Sequence, residues 1–138
     1  MSTVIPPKLQ TLANVTAKCD SGASKHYFTV KDQRSLTNVQ TIVNGPRVGL
    51  PDGSIVQGSQ AGYMKLHSAL TTQAQDTHIF PGIKSSSLIS IGQLCDDGCT
   101  AVFNNKEIGI YKNNTMILRG KRNLTDGLWD ISIPTPES

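Results

Sequence analysis

Short stretches in which apolar and polar residues alternate dominate the chain. The clearest of them covers residues 12–19, where four apolar side chains share one face: Ala13, Val15, Ala17 and Cys19. A period of two is typical of a strand with one buried face. The pattern therefore predicts a strand that ends immediately before Asp20.

Two turn sequences predict hairpins. Asp52-Gly53 lies between the strand-forming residues 48–50 and 55–56, and Asp-Gly in such a setting is among the stronger short-range indications of a hairpin. Asn113-Asn114 lies between residues 108–111 and 116–118 and predicts a second hairpin. Further strands are expected at residues 61–66, 77–80 and 100–103.

One segment has helical spacing. Leu88, Ile91, Leu94 and Cys95 recur at the intervals of one helix face. One of the serines at 85–87 is expected to cap this helix, and Gly98 is expected to end it. Many short strands, one short helix in the C-terminal half and no internal repeat indicate a small closed or sandwiched β domain.

Proline marks both ends of the chain. Residues 2–8 contain Pro6-Pro7, and residues 133–138 contain Pro134 and Pro136. Proline at this density disfavours regular pairing and favours extended chain. We therefore expect linkers at residues 1–10 and 132–138 around one domain at 11–131, with ends that resemble cut points in a longer protein.

Composition and charge narrow the function classes. A chain of 138 residues with 37% hydrophobic and 17% charged residues fits one globular domain. No apolar run is long enough to cross a bilayer, and the N-terminus lacks a secretory h-region, so no membrane partner is expected. A net charge of +3 with 5% aromatic residues is unlike the dense basic stripe of a nucleic-acid binder.

The cysteines and histidines do not predict a metal site. Three cysteines are an odd number, which favours a reducing compartment and hence the cytoplasm over a disulfide framework. The spacing from Cys95 to Cys99 and the three scattered histidines do not match zinc-ligand patterns. We expect no metal.

The sharpest chemical feature is Asp20-Ser21-Gly22, at the end of the first predicted strand. This motif alone is weak, because average composition produces it in roughly one chain in twenty of this length. Its plain interpretation is a turn in which the Asp20 carboxylate accepts backbone N–H bonds. A nucleophilic pair of His26 with Ser24 or Cys19 is disfavoured, because no third orienting group is evident.

Four blocks across nearly the whole chain resemble the protease region of copia-type retrotransposons, within the retropepsins. Residues 17–28 (AKCDSGASKHYF) are similar to its D-[ST]-G-A-[ST]-x-H catalytic block, and residues 48–54 (VGLPDGS) to its V-x-[LV]-x-D-G-S stretch. Residues 80–83 (FPGI) with 87–99 (SLISIGQLCDDGC) resemble its P-G-[LI] and L-[LI]-S-[VI]-x-Q-L block. Residues 128–131 (LWDI) resemble its closing L-[WY]-x-[IL]. The order and spacing of four blocks are more specific than any one of them.

The resemblance implies an all-β, retropepsin-like closed barrel that is active as a homodimer. It implies an aspartic endopeptidase that cuts the Gag-Pol polyprotein of a retrotransposon, in the cytoplasm and within or associated with virus-like particles. Asp20 of each subunit would supply the catalytic dyad, since the chain has one D-[ST]-G motif. No cofactor is implied, because the nucleophile of such an enzyme is water.

The resemblance also assigns the neighbouring residues. Ser21, Gly22 and Ala23 would form the active-site loop, with the Ser21 hydroxyl bracing the two loops across the dimer axis and Ala23 packing beneath the site. The first hairpin would be a flap that closes over an extended polypeptide substrate, with flap residues Leu50, Pro51, Asp52, Gly53, Ser54 and Ile55.

Two other classes stay open. A catalytically inert or domesticated module could keep this fold for binding, and it would differ from the enzyme in failing to bind a pepstatin-type transition-state analogue. A β-sandwich interaction domain could carry the turn motif by accident, and monomeric behaviour at high concentration would favour that class.

Overall fold

The computed structural model describes residues 14–135, and this part of the chain is mostly β. Its strands are β1 (Asn14–Asp20), β2 (His26–Phe28), β3 (Leu36–Thr41), β4 (Arg47–Gly49), β5 (Ile55–Gln57), β6 (Gln60–Met64), β7 (Asp76–Ile79), β8 (Leu88–Ser90), β9 (Thr100–Phe103), β10 (Glu107–Lys112), β11 (Thr115–Arg122) and β12 (Trp129–Pro134). A 3₁₀ helix (Val30–Ser35) and two short α-helices (Thr72–Gln75 and Ile91–Cys95) complete the fold. None of the helices in residues 14–135 is long and apolar enough to span a membrane.

Ten of these strands form one sheet, in the order β3-β6-β7-β2-β8-β1-β12-β11-β10-β9. The mostly-β fold class is therefore confirmed. Within residues 14–135 the hydrogen-bonded order has two ends, at β3 and β9, so these residues do not show the expected closed barrel. Strands β4 and β5 form a separate two-stranded sheet.

Strand β1 lies in the middle of the large sheet. It pairs antiparallel with β12 and, over its last three residues, parallel with β8. Val15 and Ala17 are buried and Thr16 is exposed, as the alternating pattern predicted. The large sheet thus fixes the backbone directly before Asp20 on both sides.

The other predicted strands and hairpins are confirmed within the described residues. Strands β4 and β5 pair around the Asp52-Gly53 turn, and β10 and β11 pair around Asn113-Asn114. Strands β6, β7 and β9 occupy the remaining predicted positions. Strand pairing between neighbours in sequence follows the turn chemistry closely.

The predicted helix begins later than expected. Ser90 is its N-cap, since the Ser90 side chain accepts the N–H of Gln93, and the serines at 85–87 do not cap it. Leu88 belongs to β8, where pairing with β1 and β2 overrides the helical spacing. Gly98 follows the helix with a φ of 86°, which fits the predicted stop. The helix at Thr72–Gln75 and the 3₁₀ helix were not expected.

The predicted C-terminal linker begins too early. Strand β12 continues through Pro134, and Ile133 opposite Val15 is fully buried. Pro134 is the last residue of its strand, where a missing N–H removes at most one ladder bond. The predicted linker at 1–10 lies outside the described residues.

Candidate active site

Asp20 is the last residue of β1 and is half-buried. The backbone N–H of Gly22 donates to Asp20 Oδ1 at 2.7 Å. A Cβ at Gly22 would lie 3.3 Å from this oxygen, tighter than an ordinary contact. The glycine therefore lets the chain turn back onto the carboxylate and hold one of its oxygens in place.

Ser90 holds both ends of the loop that follows. Its backbone is the parallel partner of Asp20 in the β1–β8 pair, and its hydroxyl donates to the carbonyl oxygen of Ala23 at 2.7 Å. The two residues between, Ser21 and Gly22, are exposed. The structure thus brings the predicted residues Asp20, Ser21, Gly22 and Ala23 together in one braced, solvent-facing loop.

The side chain of Gln93 connects the late helix to three backbone groups in other elements. Its Oε1 accepts the N–H of His26 at 2.8 Å, and its Nε2 donates to the carbonyls of Gln73 and Asp76, each at 2.8 Å. The side chain is 5% exposed. One amide thereby satisfies three backbone groups from β2, the helix at Thr72–Gln75 and β7.

His26 completes this network and is fully buried. Its Nδ1 accepts the N–H of Ser90 at 2.9 Å, so its Nε2 carries the proton and donates to the carbonyl of Ala74 at 2.7 Å. Burial lowers the pKa of His26 to about 4, which keeps the ring neutral at neutral pH.

The candidate nucleophiles near His26 have other partners. Both ring nitrogens of His26 bond to backbone groups, and the Ser24 hydroxyl lies 3.1 Å from the Tyr27 hydroxyl. Burial, with the charge of Asp130 second, raises the pKa of the Cys19 thiol to about 12. A thiol with so high a pKa is a poor nucleophile.

A cleft of about 290 Å³ opens beside Asp20 and Ser21. Its walls include the apolar side chains of Leu88, Phe103 and Leu128, together with Trp129. The rings of Phe103 and Trp129 meet edge to face with centroids 5.1 Å apart, an arrangement that stabilises an aromatic pair. An apolar surface thus adjoins the carboxylate.

Lys18 also lines this cleft, but its ammonium group is held by two carboxylates. Its Nζ lies 2.7 Å from Asp126 Oδ2 and 2.6 Å from Asp130 Oδ1. Burial alone would lower the pKa of Lys18, but the hydrogen bonds to Asp126 and Asp130 raise it. The lysine therefore ties β1 to the turn that carries Leu128 into the cleft wall.

The six predicted flap residues lie together in the β4–β5 hairpin. Gly53, with a φ of 89°, donates its N–H to the Leu50 carbonyl at 2.9 Å. Asp52 Oδ1 accepts both the N–H and the hydroxyl of Ser54, which holds the pKa of Asp52 below its usual value. Residues 51–55 are exposed.

The base of this hairpin has few attachments. Gly58 donates its N–H to the Pro46 carbonyl at 2.8 Å, and Val56 packs on Gly82 so closely that no Cβ would fit there. The hairpin does not line the cleft beside Asp20. The structure therefore groups the predicted site residues into two places, the Asp20 loop and the hairpin.

Comparison with known proteins gives no relatives: no family model, no curated protein and no solved structure matches this chain. Within residues 14–135 no group of three or more His, Cys, Asp or Glu side chains could hold a metal ion.

Sequence reasoning missed the roles of Ser90, Gln93 and His26. Ser90 and Gln93 match the S-x-x-Q spacing of a capping box, and that spacing could have identified Ser90 as the cap. The Gln93 side chain does not complete the box, however, because it reaches across to β2.

Proposed function

We propose that this protein is an aspartic endopeptidase of the retropepsin type, active as a homodimer. The observation that carries the proposal is the Asp20 loop: a carboxylate at the end of a central strand, oriented by Gly22, braced at both ends by Ser90 and facing an apolar cleft. The homodimer and the retrotransposon origin are the parts that come from the sequence resemblance.

The chemistry requires a second carboxylate. An aspartic protease holds two carboxylates about one water, and they share a proton because like charges so close do not both ionise readily. The ionised carboxylate takes a proton from the attacking water, while its protonated partner donates a hydrogen bond to the scissile carbonyl.

The second carboxylate would come from another copy of the chain. The sequence has three Asp-Gly steps, and each of these aspartates has other partners. Asp52 binds Ser54, and Asp97 pairs with Lys112. Asp126 accepts the N–H of Leu128 and pairs with Lys18. A two-fold axis beside Asp20 would bring two copies of its loop together, and the site is incomplete without the partner.

The substrate in this proposal is an extended polypeptide, such as the Gag-Pol polyprotein. The cleft formed by Leu88, Phe103 and Leu128 would take an apolar side chain near the scissile bond. The exposed hairpin would fold over the chain and exclude water. Such an enzyme would act in the cytoplasm, within or associated with virus-like particles.

The test is cleavage of a polyprotein fragment that contains this region and its flanks. Asp20→Asn should lower the rate by at least about 100-fold, because the dyad loses its acid–base function. Asp96→Asn, at an exposed carboxylate on the C-cap of the late helix, should cut like the wild type. If the wild type does not cut at high concentration and mildly acidic pH, the enzyme proposal fails. The hypothesis of a catalytically inert binding module would then take its place.

Mixing subunits tests the dimer separately. If both carboxylates of a dyad are needed, dimers with one Asp20→Asn subunit should be inactive, and activity should fall with the square of the wild-type fraction. A linear fall would show that each chain works alone and would overturn the homodimer.

A further inference from the structure

His26 is fully buried, and its ring links β8 to the helix at Thr72–Gln75. On the basis of the proposed function, we propose that His26 is a positioning residue for the Asp20 loop, acting through Ser90. It would hold Ser90 at the place from which Ser90 fixes the two ends of the loop.

The link from ring to loop consists of two short hydrogen bonds. His26 Nδ1 accepts the Ser90 N–H at 2.9 Å, and the Ser90 hydroxyl donates to the Ala23 carbonyl at 2.7 Å. Both groups of Ser90 are fully buried, so no water replaces a lost partner. Ser90 is the backbone partner of Asp20 and also binds the Ala23 carbonyl. A shift of Ser90 would therefore move both ends of the loop together.

Histidine suits this position because its ring carries an acceptor and a donor on opposite sides. While Nδ1 accepts from β8, Nε2 donates to Ala74 in the helix at Thr72–Gln75, 2.7 Å away. The backbone N–H of His26 is held in turn by Gln93. The ring is thus held on two sides and the backbone of His26 on a third, which is what a support for a precisely placed carboxylate needs.

Charged side chains lie around this ring, but none of its hydrogen bonds goes to one of them. Lys25 precedes it in the chain and lowers its pKa, after burial itself. Asp76, Asp96 and Asp97 line the neighbouring cavity together with Lys25, Ala74 and Gln93. The supporting contacts of His26 are hydrogen bonds to backbone groups and one amide, so its role is to hold geometry.

Two conservative variants separate the two ends of the ring. In His26→Asn the amide oxygen can take the place of Nδ1 and keep the acceptor for Ser90. In His26→Gln the amide nitrogen can take the place of Nε2 and keep the donor for Ala74. The proposal expects His26→Gln to lower kcat by roughly 10- to 100-fold with little change in KM, because misplacement of the site affects the chemical step most.

His26→Asn should retain most of the wild-type kcat. An equal loss of kcat in both variants, or a greater loss in His26→Asn, would overturn the proposal, because the Nδ1 contact would then not be the one that matters. If His26→Gln does not fold, Ser90→Ala tests the next step: it should lower kcat with KM unchanged, and a normal kcat would overturn the link.

A structural measurement keeps this test distinct from the test of function. If the wild type does not cut, the proposed function fails, but the backbone amide NMR signals of residues 21–23 still report the loop. They should move in His26→Gln and stay near their wild-type positions in His26→Asn. Loop signals that are unchanged in His26→Gln would overturn the link from His26 to the loop.

Discussion

The Asp20 loop and the β4–β5 hairpin are both short turns rich in aspartate, serine and glycine, but the protein supports them differently. The loop is tied to β8, the late helix and the helix at Thr72–Gln75 through Ser90, Gln93 and His26. The hairpin turn is held by its own Asp52 and Ser54 and pairs with no strand of the large sheet.

This difference fits the two tasks that the proposed function assigns to these regions. A carboxylate that activates water must stay within a fraction of an ångström of one position, so its support needs buried, mutually satisfied hydrogen bonds. An element that opens and closes over a substrate needs a stable local turn and few contacts elsewhere. The loop has the first kind of support, and the hairpin has the second.

The largest predicted effect is on the free energy of unfolding, and we test it by replacing one glutamine in each region. Gln93→Met should lower the free energy of unfolding by about 3 kcal/mol. The methionine would leave the His26 N–H and the carbonyls of Gln73 and Asp76 without their hydrogen-bond partner. Gln57→Met is the control, because the exposed Gln57 makes one bond, from its Nε2 to the Gly45 carbonyl at 3.1 Å. The free energy of unfolding of Gln57→Met should fall by less than about 1 kcal/mol.

Urea denaturation of the two variants measures this comparison. If Gln93→Met lowers the free energy of unfolding no more than Gln57→Met does, the buried network does not stabilise the fold. The two regions would then not differ in their support.

The next prediction concerns pH. The pKa of His26 is lowered from 6.5 to about 4 by burial, so the unfolded chain binds a proton more readily than the folded one. The stability that the neutral ring contributes is complete above pH 6.5 and is lost as pH falls towards 4. The free energy of unfolding should fall by about 3 kcal/mol over this window.

A variant without a titrating ring isolates that contribution. His26→Asn should lack this part of the pH dependence, while His67→Asn, at an exposed histidine, should keep it. Equal slopes for wild type and His26→Asn between pH 6.5 and 4 would contradict the prediction. The hairpin has no titrating group in this range, so local exchange of its amides should not follow the same curve.

Local patterns in the sequence predicted the hairpins and the first strand, because turn chemistry and the period of two act between neighbouring residues. The support of the Asp20 loop could not be predicted in this way. It depends on the parallel pairing of Asp20 with Ser90 and on the contact of His26 with Gln93, between residues far apart in the chain. Strand β8 is three residues long, too short to show a period of its own.

The prediction of a linker at the C-terminus was wrong for residues 132–134, because it rested on proline content and could not foresee a long-range strand pairing. Residues 132–134 read as linker because proline lacks an N–H, yet the apolar Ile133 is buried in β12 opposite β1. Burial of one isoleucine outweighs the loss of one donor at a strand end.

The smallest predicted effect tests the hairpin turn through two glycines. Neither Gly53 nor Gly49 has an atom within 4 Å of an added Cβ, but only Gly53 has a positive φ, of 89°. Gly53→Ala should therefore destabilise the turn by about 1 kcal/mol through backbone strain, with Gly49→Ala as the matched control. Amide exchange at Leu50 and Gly53 should quicken about fivefold in the first variant alone, with global stability unchanged. Equal exchange in both variants, or unfolding of the large sheet in Gly53→Ala, would show that the hairpin is not an independent element.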